Sequence, residues 1–377
     1  MLGGAKVGNT INMRLPARYV GTTGAALSVE DQTEVSRSLS LNTQFHVDVT
    51  FTTQELTLNL QDFSERVLAP AIAEIANKID ADGLLMAKNR TANVVGTPGA
   101  TPNALLTYAT AGAYMSQEGT PRDGLRSMIL EPLAMATIVD ALKGLFQQSD
   151  EIGEQYMQGL MGRALGFKWA EDQNIAVHTT GPLGGTPQTL GANQGIIVGW
   201  ADFTDVATSG WTAAAATRLN VGDIITIAGV TAVNPRNRAS VGRLRTFVVS
   251  STTEGNVSSD VSGNATVRVR PAIIGGGQFQ NVTARPAAGA PITVVGTANT
   301  VSPRNIGYHR DAFVLGMADL ELPEGVHFSG RVSDKQLGLS IRMVRQYAIS
   351  TDTIPARFDV LYGWAPLLPE MSCAIAG

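Results

Sequence analysis

Alternating apolar and polar residues dominate the first sixty positions. In 10–20 (TINMRLPARYV) Ile11, Met13 and Leu15 fall on one face; in 45–51, Phe45, Val47, Val49 and Phe51 alternate with His46, Asp48 and Thr50. Successive strand side chains point to opposite faces, so a period of two predicts half-buried strands. Leu56, Leu58 and Leu60 continue it. The polar stretch between the runs, 21–41, carries Glu30, Asp31, Glu34 and Arg37. The prediction is an extended two-stranded β-arm over 1–61 with a charged tip. A lone hairpin is marginal in water. The arm is therefore expected to lie on another surface, with Glu30, Asp31, Glu34 and Arg37 as candidate contacts to a neighbouring subunit.

At residue 62 the period changes. The run DFSE sets Asp62 three positions before Glu65, the spacing of a capping box. Phe63, Val67, Ala71, Ile75 and Ile79 follow at steps of four, one slowly turning helical stripe. A long helix is expected over 62–89, about 40 Å at 1.5 Å per residue, with Pro70 disturbing it and Gly83 interrupting the stripe. Gly, Pro, Thr and Ala crowd 90–121, which reads as an extended loop. A short buried strand is expected at 127–130, a helix at 132–146 with Pro at its start, and another helix at 151–161.

From 195 to 305 the character shifts again. The stretch has no Lys, and short strand candidates at 224–228, 244–251, 265–269 and 292–295 alternate with turn clusters such as NPRNR and IGGGQ. This is the pattern of a small all-β barrel or sandwich. Its expected core is Ile225, Ile227, Phe247, Val249, Val267, Val269, Ile292 and Val294, and residues 218–296 are expected to fold alone. Between 218 and 305 stand nine Arg against three acids, a local balance of +6 in a chain of −4. Alternation returns at 311–322, 338–350 and 357–364.

Composition narrows the class. Charged residues are 16%, against roughly 25% in ordinary soluble domains, so broad, weakly charged surfaces are available for packing. The net charge of −4 argues against a dedicated nucleic-acid coat. Arg outnumbers Lys 22 to 6, and its planar fork suits ordered interface pairs. A single cysteine, Cys373, excludes an intrachain disulfide and cysteine zinc sites. No apolar run is long enough to cross a membrane as a helix, and 1–10 lacks the regions of a signal peptide, so synthesis in the cytoplasm is expected.

Catalytic spacings are missing: no G-x-S-x-G, Walker loop, H-E-x-x-H or G-x-G-x-x-G. No catalytic, cofactor-binding or metal residue is assigned. The histidines at 46, 178, 309 and 327 are scattered, Glu324 and His327 sit in a turn, and Asp80 and Asp82 lack the later ligands of a calcium loop. Arg243, Arg245, Arg268 and Arg270 fall at strand spacing. They make either a single-strand nucleic-acid stripe or, with greater weight, salt bridges across a subunit contact or a solvated face.

The order of these parts carries a resemblance. GAKVGNTINMRLPARYV, FTTQELTLNLQDFSERVLAPAIAEIANKIDAD, GDIITIAGVTAVNP, HRDAFVLGMADLELPEGV and SIRMVRQYAISTDTIPARFDVLYG together resemble the P-twenty-two-like phage coat proteins over nearly the whole chain. The resemblance implies an α+β chain with the Hong Kong 97-type major-capsid fold. It assigns 1–61 to the extended arm, 62–125 to a peripheral domain with a spine helix, and 126–194 to the first part of an axial domain. It assigns 195–305 to an inserted β-barrel on the outer surface, 306–320 to the axial return, and 321–377 to the peripheral C-terminal strands. It implies a non-enzymatic shell subunit of hexamers and pentamers in the virion, made in the host cytoplasm. A scaffolding protein and a portal are its implied partners, and double-stranded DNA is touched only non-specifically. Such coats usually carry a helical arm before the first strand; here that strand is expected from residue 10. A nanocompartment shell protein shares the architecture but usually lacks the insert, and a β-rich adhesin would fit the Thr and Gly content. An enzyme fits least.

Overall fold

The computed structural model describes residues 8–27, 29, 32–54, 69–142, 162–250, 255–334 and 338–377. The capping box at 62–65, the first turns of the stripe, Leu56 to Leu60 and the helix at 151–161 lie outside them. The chain divides into two compact units.

The first unit takes Met1–Arg14, Ser36–Gly83 and Val314–Ala365. The strand Thr353–Pro366 is its spine: it pairs antiparallel with Thr43–Thr52 and with Leu339–Arg345, which pairs in turn with Phe328–Asp334. Phe313–Ala318 completes five strands. The helix Ala69–Arg90 lays Ala71, Ile75 and Ile79 onto Phe358, Val360 and Tyr362, the stripe expected from steps of four. Gly83 interrupts that stripe because Trp364 occupies its place: a Cβ there would meet Trp364 Cζ2 at 2.7 Å.

The arm pairs differently from the expectation. Thr10–Arg14 is antiparallel to Ser36–Ser40, with Met13 opposite Arg37, whereas Thr43–Thr52 runs along Thr353–Pro366. Alternation fixes which face of a strand is buried and leaves its partner open, so two runs near in sequence were joined that belong to separate sheets.

The second unit takes Leu15–Val35, Leu84–Phe313 and Pro366–Gly377. Its seven-stranded sheet runs in the order Val94–Gly96, Ser372–Ala376, Val301–His309, Arg126–Leu130, Phe167–Glu171, Arg163–Ala164, with Val177–Thr179 also on Val301–His309. Tyr108, Met115, Met128, Leu130, Met135, Ile138, Phe167 and Trp169 form the core beneath it. Two of these come from a helix, Leu105–Gln117, inside the stretch expected to be a loop. Its small Ala, Gly and Thr residues and the absence of a side-chain cap hid it. Tyr108, Ala111, Gly112 and Met115 nevertheless follow helical spacing and are buried.

The barrel also belongs to this unit. Its six strands run in the order Ile292–Val294, Ile224–Val233, Ser240–Ser250, Ala265–Arg270, Thr204–Trp211, Gly185–Thr189. Thr189 N–H donates to Ala290 O (3.0 Å) and Gly289 N–H to Thr189 O (2.9 Å), joining the last strand to the residues that lead into the first, where Gln188 also bridges Pro291. The ring is closed, which removes exposed sheet edges. All eight expected core residues pack inside it, Val294 partly buried, together with Val206 and Trp211.

Its limits are shifted from those expected. Gly185–Thr189 lies before residue 195 and belongs to the barrel, while Val301–His309 lies in the seven-stranded sheet. Thr179 pairs with Val301 and Thr180 N–H donates to Thr300 O (2.9 Å), so the inserted segment is 180–300, held at a two-stranded neck. Composition placed the boundary where Lys and helical periodicity stop, but GTPQT carries neither an apolar run nor alternation.

Candidate functional site

Three polar clusters hold the barrel within the second unit, each using charges far apart in sequence. At the neck, Asp223 is fully buried and saturated. Its carboxylate accepts from His178 Nε2 (2.8 Å), Gly181 N–H (3.1 Å) and Asn220 N–H (2.7 Å). Burial pushes the His178 pKa down while Asp223 pulls it up; the net direction is down.

The second cluster centres on Glu118, which follows Leu105–Gln117. Arg243 Nη2 donates to it at 2.9 Å, and Arg245 Nη1 reaches the same oxygen. Arg243 also donates to Gln117 Oε1 (3.1 Å) and Asn93 Oδ1 (3.2 Å), and its guanidinium lies 4.3 Å over the Tyr114 ring. In the third cluster, Asp202 accepts from Arg270 Nε (2.9 Å) and from Arg90 Nη1 (3.2 Å) in the last turn of Ala69–Arg90. Arg268 forms a two-pronged pair with Asp205 (2.7 and 2.8 Å) and stacks 3.8 Å over Phe203.

The four arginines at strand spacing thus meet acids of their own chain. The salt bridges weighed from sequence are found within one chain. Spacing revealed that each pair points one way; it carried no signal for Glu118, more than a hundred residues upstream.

Of the predicted contacts, Glu34 is exposed and Arg37 half-buried in Ser36–Ser40, while Glu30 and Asp31 lie outside the described residues. Nearby Leu27 is 90% and Val29 78% exposed. Asp82, read as a solvated helix position, instead accepts from Lys78 Nζ (2.6 Å) and Tyr362 Oη (2.6 Å). No metal-binding cluster of His, Cys, Asp and Glu occurs among the described residues. Cys373 is buried and its thiol is pushed up to about 12, far from the range of a thiolate nucleophile.

Within the second unit, then, buried ion pairs clamp the barrel, and Leu27 and Val29 stand bare. The chain belongs to the P22 coat protein family: the profile described as P22 coat protein, gene protein 5, matches residues 5–377. It is a phage major capsid protein of mixed α and β structure, and its role is to form the shell.

Among solved structures it is similar to a chain from the bacteriophage PhiM1 mature capsid (10% identity, TM-score 0.47, 98% of this chain and 82% of that one). It is also similar to one from Mycobacterium phage Che8 (8%, 0.45, 98% and 84%). The CUS-3 coat protein I-domain matches 30% of this chain and 96% of its own length at 21% identity and TM-score 0.22. No curated protein matches.

Proposed function

We propose that this capsid subunit assembles as hexamers and pentamers of an icosahedral shell around double-stranded DNA, with a scaffolding protein directing closure and a portal at one vertex. The family match over 5–377 carries this reading, because it spans the hairpin, the sheets and the barrel as one unit. Closed shells need one contact set repeated around symmetry axes. In this reading the hairpin of Thr10–Arg14 and Ser36–Ser40 is the arm that reaches a neighbour, through Glu30, Asp31, Glu34, Arg37, Leu27 and Val29. The five-stranded sheet with Ala69–Arg90 is the peripheral domain, the seven-stranded sheet the axial domain, and the barrel stands on the outer surface. Synthesis takes place in the host cytoplasm. DNA contact is non-specific, in keeping with the engagement of Arg243, Arg245, Arg268 and Arg270 inside the chain.

Sedimentation velocity of the purified chain, alone and with its scaffolding protein, tests this. Particles are expected with the scaffold, and their loss on reversing Glu30 and Glu34 to Lys in a chain that still folds. Exposed pairs are each worth about 0–1 kcal/mol, but the shell repeats them at every contact. Monomer alone under all conditions contradicts the reading; normal particles from the charge-reversed chain remove the tip charges from it.

A further inference from the structure

Arg304 stands in Val301–His309, next to the neck of the barrel. It is 4% exposed, yet Nε, Nη1 and Nη2 all lack a hydrogen-bond partner. Arg126, equally buried, shows how this fold satisfies a guanidinium: it donates to the carbonyls of Pro121, Gly112 and Thr120 and to Ser116 Oγ. The acid whose field reaches Arg304 is Asp223, and its oxygens are taken by His178, Gly181 and Asn220. An ionised group buried without an acceptor is strongly unfavourable.

Arg304 has company of the same kind. His178 pairs with Ser302 across the neck, and alternate residues of a ladder share a face. His178, Thr180, Ser302 and Arg304 therefore line one side. The Ser302 and Thr180 hydroxyls are fully buried and also without partners. Gly222 closes against this group: a Cβ there would lie 3.0 Å from Asn89 Oδ1 and 3.2 Å from His178 Nδ1. Lys88, half-buried at the end of the long helix, donates to Val177 O (3.4 Å) at the solvent side. Its pKa is lowered by burial and by Arg304. Two cations, Lys88 and Arg304, face one carboxylate, Asp223. The cluster carries an excess of positive charge, and the Arg304 nitrogens and the Ser302 and Thr180 hydroxyls outnumber its one unpartnered acceptor, Asn89 Oδ1.

We propose that the neck of the barrel binds one small monovalent inorganic anion of the halide class, held by the Arg304 guanidinium and the Ser302 and Thr180 hydroxyls. One such ion supplies the missing acceptor and neutralises the excess charge, and it ties the strand leaving the barrel to the strand entering it.

The test is thermal and urea unfolding of the full chain in potassium chloride against potassium methanesulfonate at constant ionic strength. Chloride and bromide are expected to stabilise saturably; at ten times the dissociation constant the unfolding constant falls about elevenfold. Arg304→Gln is expected to abolish the difference between the salts. Identical curves for the wild-type chain in both salts overturn the proposal, as does a chloride effect that survives intact in Arg304→Gln. Should that variant not fold, crystals of the wild-type chain soaked in bromide decide. An anomalous peak within hydrogen-bond distance of Arg304 supports the site, and water without anomalous signal there refutes it.

Discussion

Glu118 takes two guanidiniums in a buried place, so its removal leaves two charges without a counter-ion. Breaking a buried pair from one side costs about 3–5 kcal/mol, and Glu118→Ala is expected to lower stability by that order in urea unfolding, with Arg245→Met milder. A loss below about 1 kcal/mol, the size of an exposed pair, would show that solvent screens the cluster. Gly83 gives a second case. Alanine favours a helix by about 1 kcal/mol over glycine, but Trp364 Nε1 donates to Ile79 O (2.9 Å), which fixes the ring against Gly83. Gly83→Ala is therefore expected to destabilise, and to become stabilising in a Trp364→Leu background; the double-mutant cycle measures it. None of these partners was legible in sequence. A helical stripe reveals that a glycine interrupts it, not which ring fills the gap. Likewise nothing near His178 in sequence points to Asp223, which it meets and which lies 45 residues on, just before Ile224–Val233.

The barrel shows what patterning reveals and what it misses at the level of elements. Four of its six strands and all eight expected core positions were readable, because apolar alternation survives where one face is buried; Thr204–Trp211 was missed. Gly185–Thr189 was missed as well, since the strand that closes a ring can be short and polar when its backbone pairs on both sides. The consequence is testable. A fragment of 218–296 lacks Gly185–Thr189 and Thr204–Trp211 and is expected not to fold alone, whereas 180–300 is expected to give a monomer with cooperative unfolding. Equal cooperativity of the two fragments would contradict ring closure. Within 180–300, Arg268 lowers the Asp205 pKa by hydrogen bonding. A carboxyl held below its unfolded value of about 3.9 contributes stability above that pH and loses it as pH falls through the depressed pKa. The acid limb of the stability curve is expected to flatten in Asp205→Asn.

For the whole molecule, the order of parts pointed to the capsid family more firmly than any one segment did, and the match over 5–377 established it. The partners of the strands were beyond reach, because an alternating run specifies a buried face without saying whose strand lies beside it. The low charge content follows from the same function: a subunit that buries much of its surface against copies of itself keeps its charges for ordered pairs. The most direct measurement is an electron cryo-microscopy reconstruction of particles from the chain co-expressed with its scaffolding protein. Closed icosahedral shells of hexamers and pentamers are expected, each subunit reaching a neighbour through its hairpin tip and carrying its barrel on the outer face. Monomers and irregular aggregates, or shells whose contacts leave the hairpin tip bare, would contradict this expectation.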